Sequence, residues 1–393
     1  MPTTTRTLPF ERPGVLEPPP AYAELRRTEP VARVTTPDGT QAWLVTSYDA
    51  VATVLADPRF GVAPLGGGDP GNHTLFQDGD AHARLRRLVS TVFTPRHVES
   101  MRARIEELAA DHVAAMAAAG PPADLVDALA APLSITTIGE LLGIPADDRA
   151  QLRRWADTVL TVDMSVPTGE LDGAAMEQAW ESLSGYAAEL VATRRSDPGD
   201  DLMSALIGVH DAQDGRLSGD ELTAMVTTLV SAGYLSACNV MSVAVIHLVG
   251  TGRLARLAGA PEQLDATVEE VLRHQSGVTG EVLPRWAHED VELGETRIAA
   301  GDMVLARLEA ANRDPDRFPD PDRFVPERPN PHLAFGRGPH HCLGAALART
   351  EIRAALHALA VRLPGLRLRD RVEDIPWIHG FVDSGPAAVH VTW

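Results

Sequence analysis

The sequence predicts a mainly α protein, a helical bundle with a minor β-rich region, and three observations carry that expectation. From His82 to Val249 the apolar spacing is mostly helical, punctuated at Gly120-Pro121-Pro122, Pro145 and Pro198-Gly199. The β-like runs are short and lie in the first part of the chain, to about Phe60, and across Val291–Val304. The 393 residues are 44% hydrophobic and 23% charged, a globular composition long enough to bury a large core. No change of composition forces a second domain. Residues 1–393 are therefore expected to form a single domain, with a short flexible Thr- and Pro-rich N-terminal segment over about residues 1–20.

The elements follow in order. Val31–Thr35 and Ala42–Thr46 alternate like strands and are split by a turn at Pro37-Asp38-Gly39, which predicts a small sheet. Gly61–Gly71 is rich in Gly and Pro and is expected to be a mobile loop. Ser218-Gly-Asp-Glu221 is a capping box, and the next stop is Gly250-Thr-Gly252. The helix between them would reach roughly 45–50 Å at 1.5 Å per residue. It is apolar on most faces and should cross the core, yet it contains Gly233, Ser236, Cys238 and Asn239. Arg313–Pro331 is rich in Pro and Asp and predicts an irregular meander. A last helix runs from about Gly344 to Arg362 and is stopped by Pro364-Gly365.

Composition excludes several classes of function. The net charge of −19 argues against nucleic-acid binding. Lysine is absent, which removes Schiff-base catalysis, a pyridoxal-phosphate lysine and a Walker-type phosphate loop. Two cysteines, Cys238 and Cys342, make neither a disulfide framework nor a cysteine-rich zinc site. The N-terminus lacks a basic-then-apolar signal pattern, and apolar stretches such as Met241–Leu248 are too short or interrupted to span a bilayer. A cytoplasmic protein with no membrane partner is the expectation.

One segment concentrates the chemistry: Phe335-Gly-Arg-Gly-Pro-His-His-Cys-Leu-Gly344, just ahead of an Ala-rich helix. Gly336, Gly338 and Gly344 allow tight turns around a single thiol. A thiolate at a helix N-terminus is stabilised by the helix dipole and the free N–H groups. A lone thiolate with an adjacent cation suits a haem iron better than zinc, which would need further ligands.

This segment matches every fixed position of the cytochrome P450 haem-binding signature, at Phe335, Gly336, Gly338, His340, Cys342 and Gly344. The resemblance runs from about residue 20 to the C-terminus and looks closest to the soluble bacterial members. It implies haem b, iron protoporphyrin IX, with Cys342 as the axial metal ligand, Phe335 beside the thiolate and His340 near a haem propionate. His82 and Arg86, at i and i+4, resemble the family's propionate-binding pair, and Arg285 resembles another propionate arginine. Glu270 and Arg273 match the ExxR pair; with Arg323 of Pro321-Asp-Arg-Phe324 they resemble the structural Glu-Arg-Arg triad.

The long helix resembles the family's oxygen-binding helix but departs from it. Ala232-Gly233-Tyr234-Leu235-Ser236 stands where the family has Ala-Gly-x-acid-Thr. Gly233 is expected to open room over the iron, and Ser236 keeps a hydroxyl. Leu235 removes the usual carboxylate of the proton relay. The resemblance implies a monooxygenase that acts on a small organic secondary metabolite with dioxygen and two electrons. Electrons are expected from a separate ferredoxin and ferredoxin reductase. Arg84, Arg87, Arg102, Arg104, Arg337, Arg349 and Arg353 are candidates for a basic docking patch. Leu235 keeps open an oxidase that couples, cross-links or rearranges its substrate without inserting oxygen, and a non-catalytic binding module is a third reading. Leu235, Val282, Leu283 and Phe381 are candidate substrate-pocket residues.

Overall fold

The computed structural model describes residues 6–66, 77–160, 173–211, 218–277, 283–379 and 384–393. The helices, in chain order, are α1 (Pro20–Thr28), α2 (Tyr48–Ala56), α3 (Gly79–Val92), α4 (Pro95–Ala119), α5 (Ala131–Leu142), α6 (Ala146–Leu160), α7 (Gly173–Ser196), α8 (Leu202–Asp211), α9 (Gly219–Gly250), α10 (Leu264–His274), α11 (Leu308–Ala311) and α12 (Ala345–Arg362). The strands are β1 (Arg6–Thr7), β2 (Val31–Thr35), β3 (Gln41–Val45), β4 (Phe60–Gly61), β5 (Ala123–Asp124), β6 (Arg285–Ala287), β7 (Val291–Leu293), β8 (Thr296–Ile298), β9 (Met303–Ala306), β10 (Arg367–Leu368), β11 (Trp377–His379), β12 (Ser384–Pro386) and β13 (His390–Thr392). The mainly helical expectation holds. The chain packs as two compact units. The first is made of residues 1–71, 76–83 and 269–342, and the second of 72–75, 84–268 and 343–393.

The first unit is built on a six-stranded sheet of order β1-β2-β3-β9-β6-β4. The β2–β3 hairpin forms as its alternation predicts, pairing Val31 with Val45 and Thr35 with Gln41, and Gly39 takes the left-handed turn position at φ 88°. β9 adds parallel to β3, and β6 adds antiparallel to β9 with Arg285 opposite Val304. Val45, Val51, Val54, Val304, Ala311 and Phe318, each fully buried, form the core between this sheet, α2 and α11. The N-terminal segment makes defined contacts where it is described. Arg6 and Thr7 pair with Val34 and Thr35, Leu8 is buried, and Arg12 forms a two-pronged ion pair with buried Glu309.

The second unit is the helical bundle. α9 runs from a complete capping box at Ser218 and Glu221 to Gly250, as its sequence predicts. It packs against α5, α6, α7 and α12, while α12 also lies along α4. It is the one described helix long and apolar enough to cross a membrane, and 72% of its most apolar stretch is buried inside the protein, as a core helix would be. Two small sheets, β10-β13-β5 and β11-β12, complete this unit. α12 covers Ala345–Arg362, and the chain enters it three residues after Cys342.

Candidate active site

In the first unit the cysteine loop is shaped by its glycines. Gly336 and Gly338 have φ of 68° and 74°, a region that costs a side-chain-bearing residue energy. A Cβ on Gly338 would stand 2.6 Å from the Leu55 carbonyl oxygen, so only glycine lets the loop lie on the end of α2. The Cys342 amide donates to the Phe335 carbonyl at 2.8 Å, which closes the loop. Cys342 is exposed, and Cys238 is buried. Burial pushes the Cys238 thiol up to about 12, so it stays protonated and is a poor metal ligand. Gly344 differs from expectation. Its φ is −82°, and nothing in the protein lies within 4 Å of a Cβ placed there. Among the described residues, neither backbone nor packing demands glycine at 344.

Residues far apart in sequence converge beside this loop. The His340 ring stacks on the His82 ring with centroids 4.1 Å apart, and its Nε2 is 3.2 Å from Asp78 Oδ1. Asp78 also accepts from the amides of Val62 and Ala63. Burial opposes its charge, but the bonds from His340 and the two amides outweigh it and bring its carboxyl down to about 2. Asp78 was not among the expected site residues; its one sequence signal is its place four residues before His82, one helical turn away. Arg285 is 4% exposed at the start of β6. Its Nη1 donates to the carbonyls of Leu283 and Pro284, and its Nε is buried without a partner. Burial pushes its guanidinium down, and Asp78 only partly offsets this. A buried cation with an open donor fits a carboxylate ligand such as a propionate. Arg86 lies one turn beyond His82 on α3, half-buried.

Behind the loop sits the Glu–Arg brace, with one correction. Glu270 and Arg273 are fully buried and form a two-pronged pair at 2.7 and 2.8 Å. Arg273 also donates to the carbonyls of Asn312, Pro321 and Arg323. The third side chain is Arg328, not Arg323. Arg328 Nε reaches Glu270 Oε1 at 3.1 Å with its side chain 7% exposed. Arg323 is 75% exposed and pairs with Asp320. Asp320 takes a φ of 48°, and around that turn Arg323 offers its carbonyl inward and its guanidinium outward.

In the second unit α9 is least buried in its middle at Ser231, Ala232, Gly233, Ser236 and Val240, and Ala232, Ser236 and Val240 among these are spaced four residues apart. Ser236 donates its hydroxyl hydrogen to the Ala232 carbonyl at 2.6 Å, so its oxygen faces outward as an acceptor. Gly233 also departs from expectation: a Cβ there would meet Ile138 Cδ1 at 2.9 Å, so its missing side chain serves the close packing of α5 on α9. Leu235 is 9% exposed. Leu283, in the first unit, is half-buried, and its described role is to accept from Arg285. Val282 and Phe381 lie outside the described residues. Among the described residues no group of three or more His, Cys, Asp or Glu is placed to hold a bare metal ion.

The sequence matches the family described as Cytochrome P450 over residues 262–362. It is 42% identical to the mycinamicin IV hydroxylase/epoxidase of Micromonospora griseorubida over 95% of this chain and 94% of that protein. It is 40% identical to the nocardicin C N-oxygenase of Nocardia uniformis subsp. tsuyamanensis over 100% and 99% of the two chains. The crystal structure of the LnmA cytochrome P450 hydroxylase, from the leinamycin biosynthetic pathway of Streptomyces atroolivaceus, superposes with a TM-score of 0.89 at 39% identity, covering 99% of this chain and 100% of that one. The chain belongs to the cytochrome P450 family, among the bacterial monooxygenases that tailor secondary metabolites.

Proposed function

We propose that the chain holds haem b through Cys342 and uses dioxygen to oxidise a small organic metabolite. Family membership implies the haem; the assignment of its contacts rests on the match of each residue to the family's motif. When bound, the haem supplies dioxygen activation for transfer of one oxygen atom. Cys342 would hold the iron from a loop whose turn is set by Gly336 and Gly338. His82, Arg86, Arg285 and His340 would bind the propionates, with Phe335 beside the sulfur and Gly344 leaving space for the ring. The observation that carries this reading is buried Arg285, whose Nε has no partner among the described residues while His82 and His340 stack beside Asp78.

On α9, Ala232 and Ser236 would face the reacting atoms. Ser236 already spends its own hydrogen on Ala232, so we assign it the holding of a proton-bearing water or substrate hydroxyl rather than direct donation. Leu235 carries no proton, so delivery depends on what the substrate or a water brings. We assign electron supply to a ferredoxin and its reductase, and the working compartment to the cytoplasm. The expected basic docking patch is partly tied up: Arg84 pairs with Glu221, Arg102 with Glu99, Arg104 with Glu107 and Glu140, and Arg353 with Glu106 and Asp265. Full-length similarity to the relatives supports treating residues 1–393 as one catalytic domain.

The test is spectroscopic. Reduced protein with carbon monoxide should show the strongly red-shifted Soret band of thiolate ligation. Cys342→Ser should abolish that band and Cys238→Ser should keep it. Loss in the second variant instead would overturn the ligand assignment. A product one oxygen atom heavier than its substrate supports oxygen insertion over coupling or rearrangement.

A further inference from the structure

A cavity of about 240 Å³ lies in the second unit beside α9, lined in part by Asp127, Arg153, Asp157, Tyr234 and Asn239. Tyr234 and Cys238 follow Ala232 and Ser236 by two positions, so they project from nearly the opposite side of α9 from the row of Ala232, Ser236 and Val240. Asn239, three residues after Ser236, stands on the border between the two faces.

The polar groups are built, not incidental. Tyr234 is 2% exposed and donates its hydroxyl to Asp157 Oδ1 at 2.7 Å. Arg153 Nε lies 3.3 Å from the Tyr234 oxygen and 3.4 Å from Asp157 Oδ2, and Arg153 Nη2 pairs with Asp127. Among the described residues one guanidinium therefore faces two carboxylates, an excess of acid over base. Asn239 is 5% exposed and lines the cavity, and its side-chain amide makes no hydrogen bond to a described residue. Its amide stands against Gly385 of β12, where any Cβ would collide with it. The remaining walls are apolar: Leu160, Leu235, Ile378, Pro386 and Ala387.

We propose that this cavity is a subsite for a protonated amine carried on an otherwise apolar substrate. Charge selects the ligand. An anion would meet the surplus carboxylate, and Arg153 is already engaged by both acids. A neutral alkyl group would leave the Asn239 amide buried without a partner. An ammonium group offsets the excess charge, Asn239 Oδ1 offers it an acceptor, and its alkyl substituents fit the apolar walls. The inference deepens the monooxygenase reading by naming a substrate class, and it rests on that reading only for what happens to the substrate afterwards.

The test uses the haem-loaded full chain and calorimetric titration with three probes that share a decyl chain. They are dimethyldecylammonium, 1-decanol and decanoate, each below its micelle-forming concentration and at neutral pH. The tertiary ammonium keeps one N–H for the Asn239 acceptor, and an unshifted Soret band during the titration excludes direct coordination of the amine to iron. The cation should bind about tenfold or more tighter than the alcohol or the carboxylate. Asp157→Asn should remove most of that preference while leaving decanol affinity unchanged. Asp127→Asn, at a side chain 67% exposed, should weaken the cation less, and it serves as the second variant if Asp157→Asn disturbs folding through Tyr234. Equal affinity for the three probes overturns the proposal. So does failure of the cation to saturate, or full preference retained in both variants. A normal thiolate band with carbon monoxide in the same preparations keeps the haem reading intact whatever the titration gives.

Discussion

The first unit holds two buried groups of cations, and they are finished differently. Around Glu270, the donors of Arg273 are met by a carboxylate and three carbonyls, and Asn330 and the Val325 amide complete the acid. Around Asp78, Arg285 donates to neighbouring carbonyls and keeps Nε without a partner among the described residues. A closed network can only hold its own elements together. An open one at similar burial loses solvation that the protein does not return.

Substitution should break the closed network first and hardest. Glu270→Ala leaves Arg273 buried without its carboxylate, a loss of about 3–5 kcal/mol. Insoluble or haem-poor protein is the expected outcome, and a stable, fully loaded variant in thermal melts would refute the brace. Arg328→Ala removes one bond to a buried charge and should cost about 1.5–3 kcal/mol, whereas Arg323→Ala should stay within about 0.5 kcal/mol. Equal losses by chemical denaturation would restore Arg323 to the triad. Arg285→Ala should behave in the other way: apoprotein stability holds or rises, while haem loss to an acceptor protein speeds up on the order of tenfold. Unchanged haem loss would close the open site.

A buried acid in the second unit sharpens the contrast. Glu351 on α12 is 1% exposed, and its Oε2 has no partner. Burial pushes its carboxyl well above the usual range. The folded chain keeps a proton that the unfolded chain releases, so stability falls as pH rises through the ordinary glutamate range. Glu351→Gln should flatten that fall and raise the neutral-pH melting temperature by a few degrees, about what 1 kcal/mol gives. A variant melting lower than the parent at pH 7 would show that the charge is used.

Much of this was legible because it is periodic or local. The capping box at Ser218, the β2–β3 hairpin and the Glu270–Arg273 spacing are written in short-range pattern. Arg328 was not legible. The meander has no period, and its path, with Asp320 in the left-handed region, turns Arg328 inward and leaves Arg323 exposed. Gly233 and Gly344 were seen as part of a motif, but their reasons are tertiary: Ile138 of another helix in one case and open space in the other. The Arg153–Asp157–Tyr234 cluster joins α6 to α9, and no window of sequence contains both.

The contact under Gly338 has a mechanical consequence. With the Leu55 carbonyl 2.6 Å from where a Cβ would sit, the end of α2 is a floor on which the cysteine loop rests directly. A single methyl group at 338 would lift the loop by roughly 1 Å, the gap to an ordinary van der Waals separation. α2 belongs to the same core as the β2–β3 hairpin, so the height of the sulfur is referenced to that core and not to the loop's own stiffness.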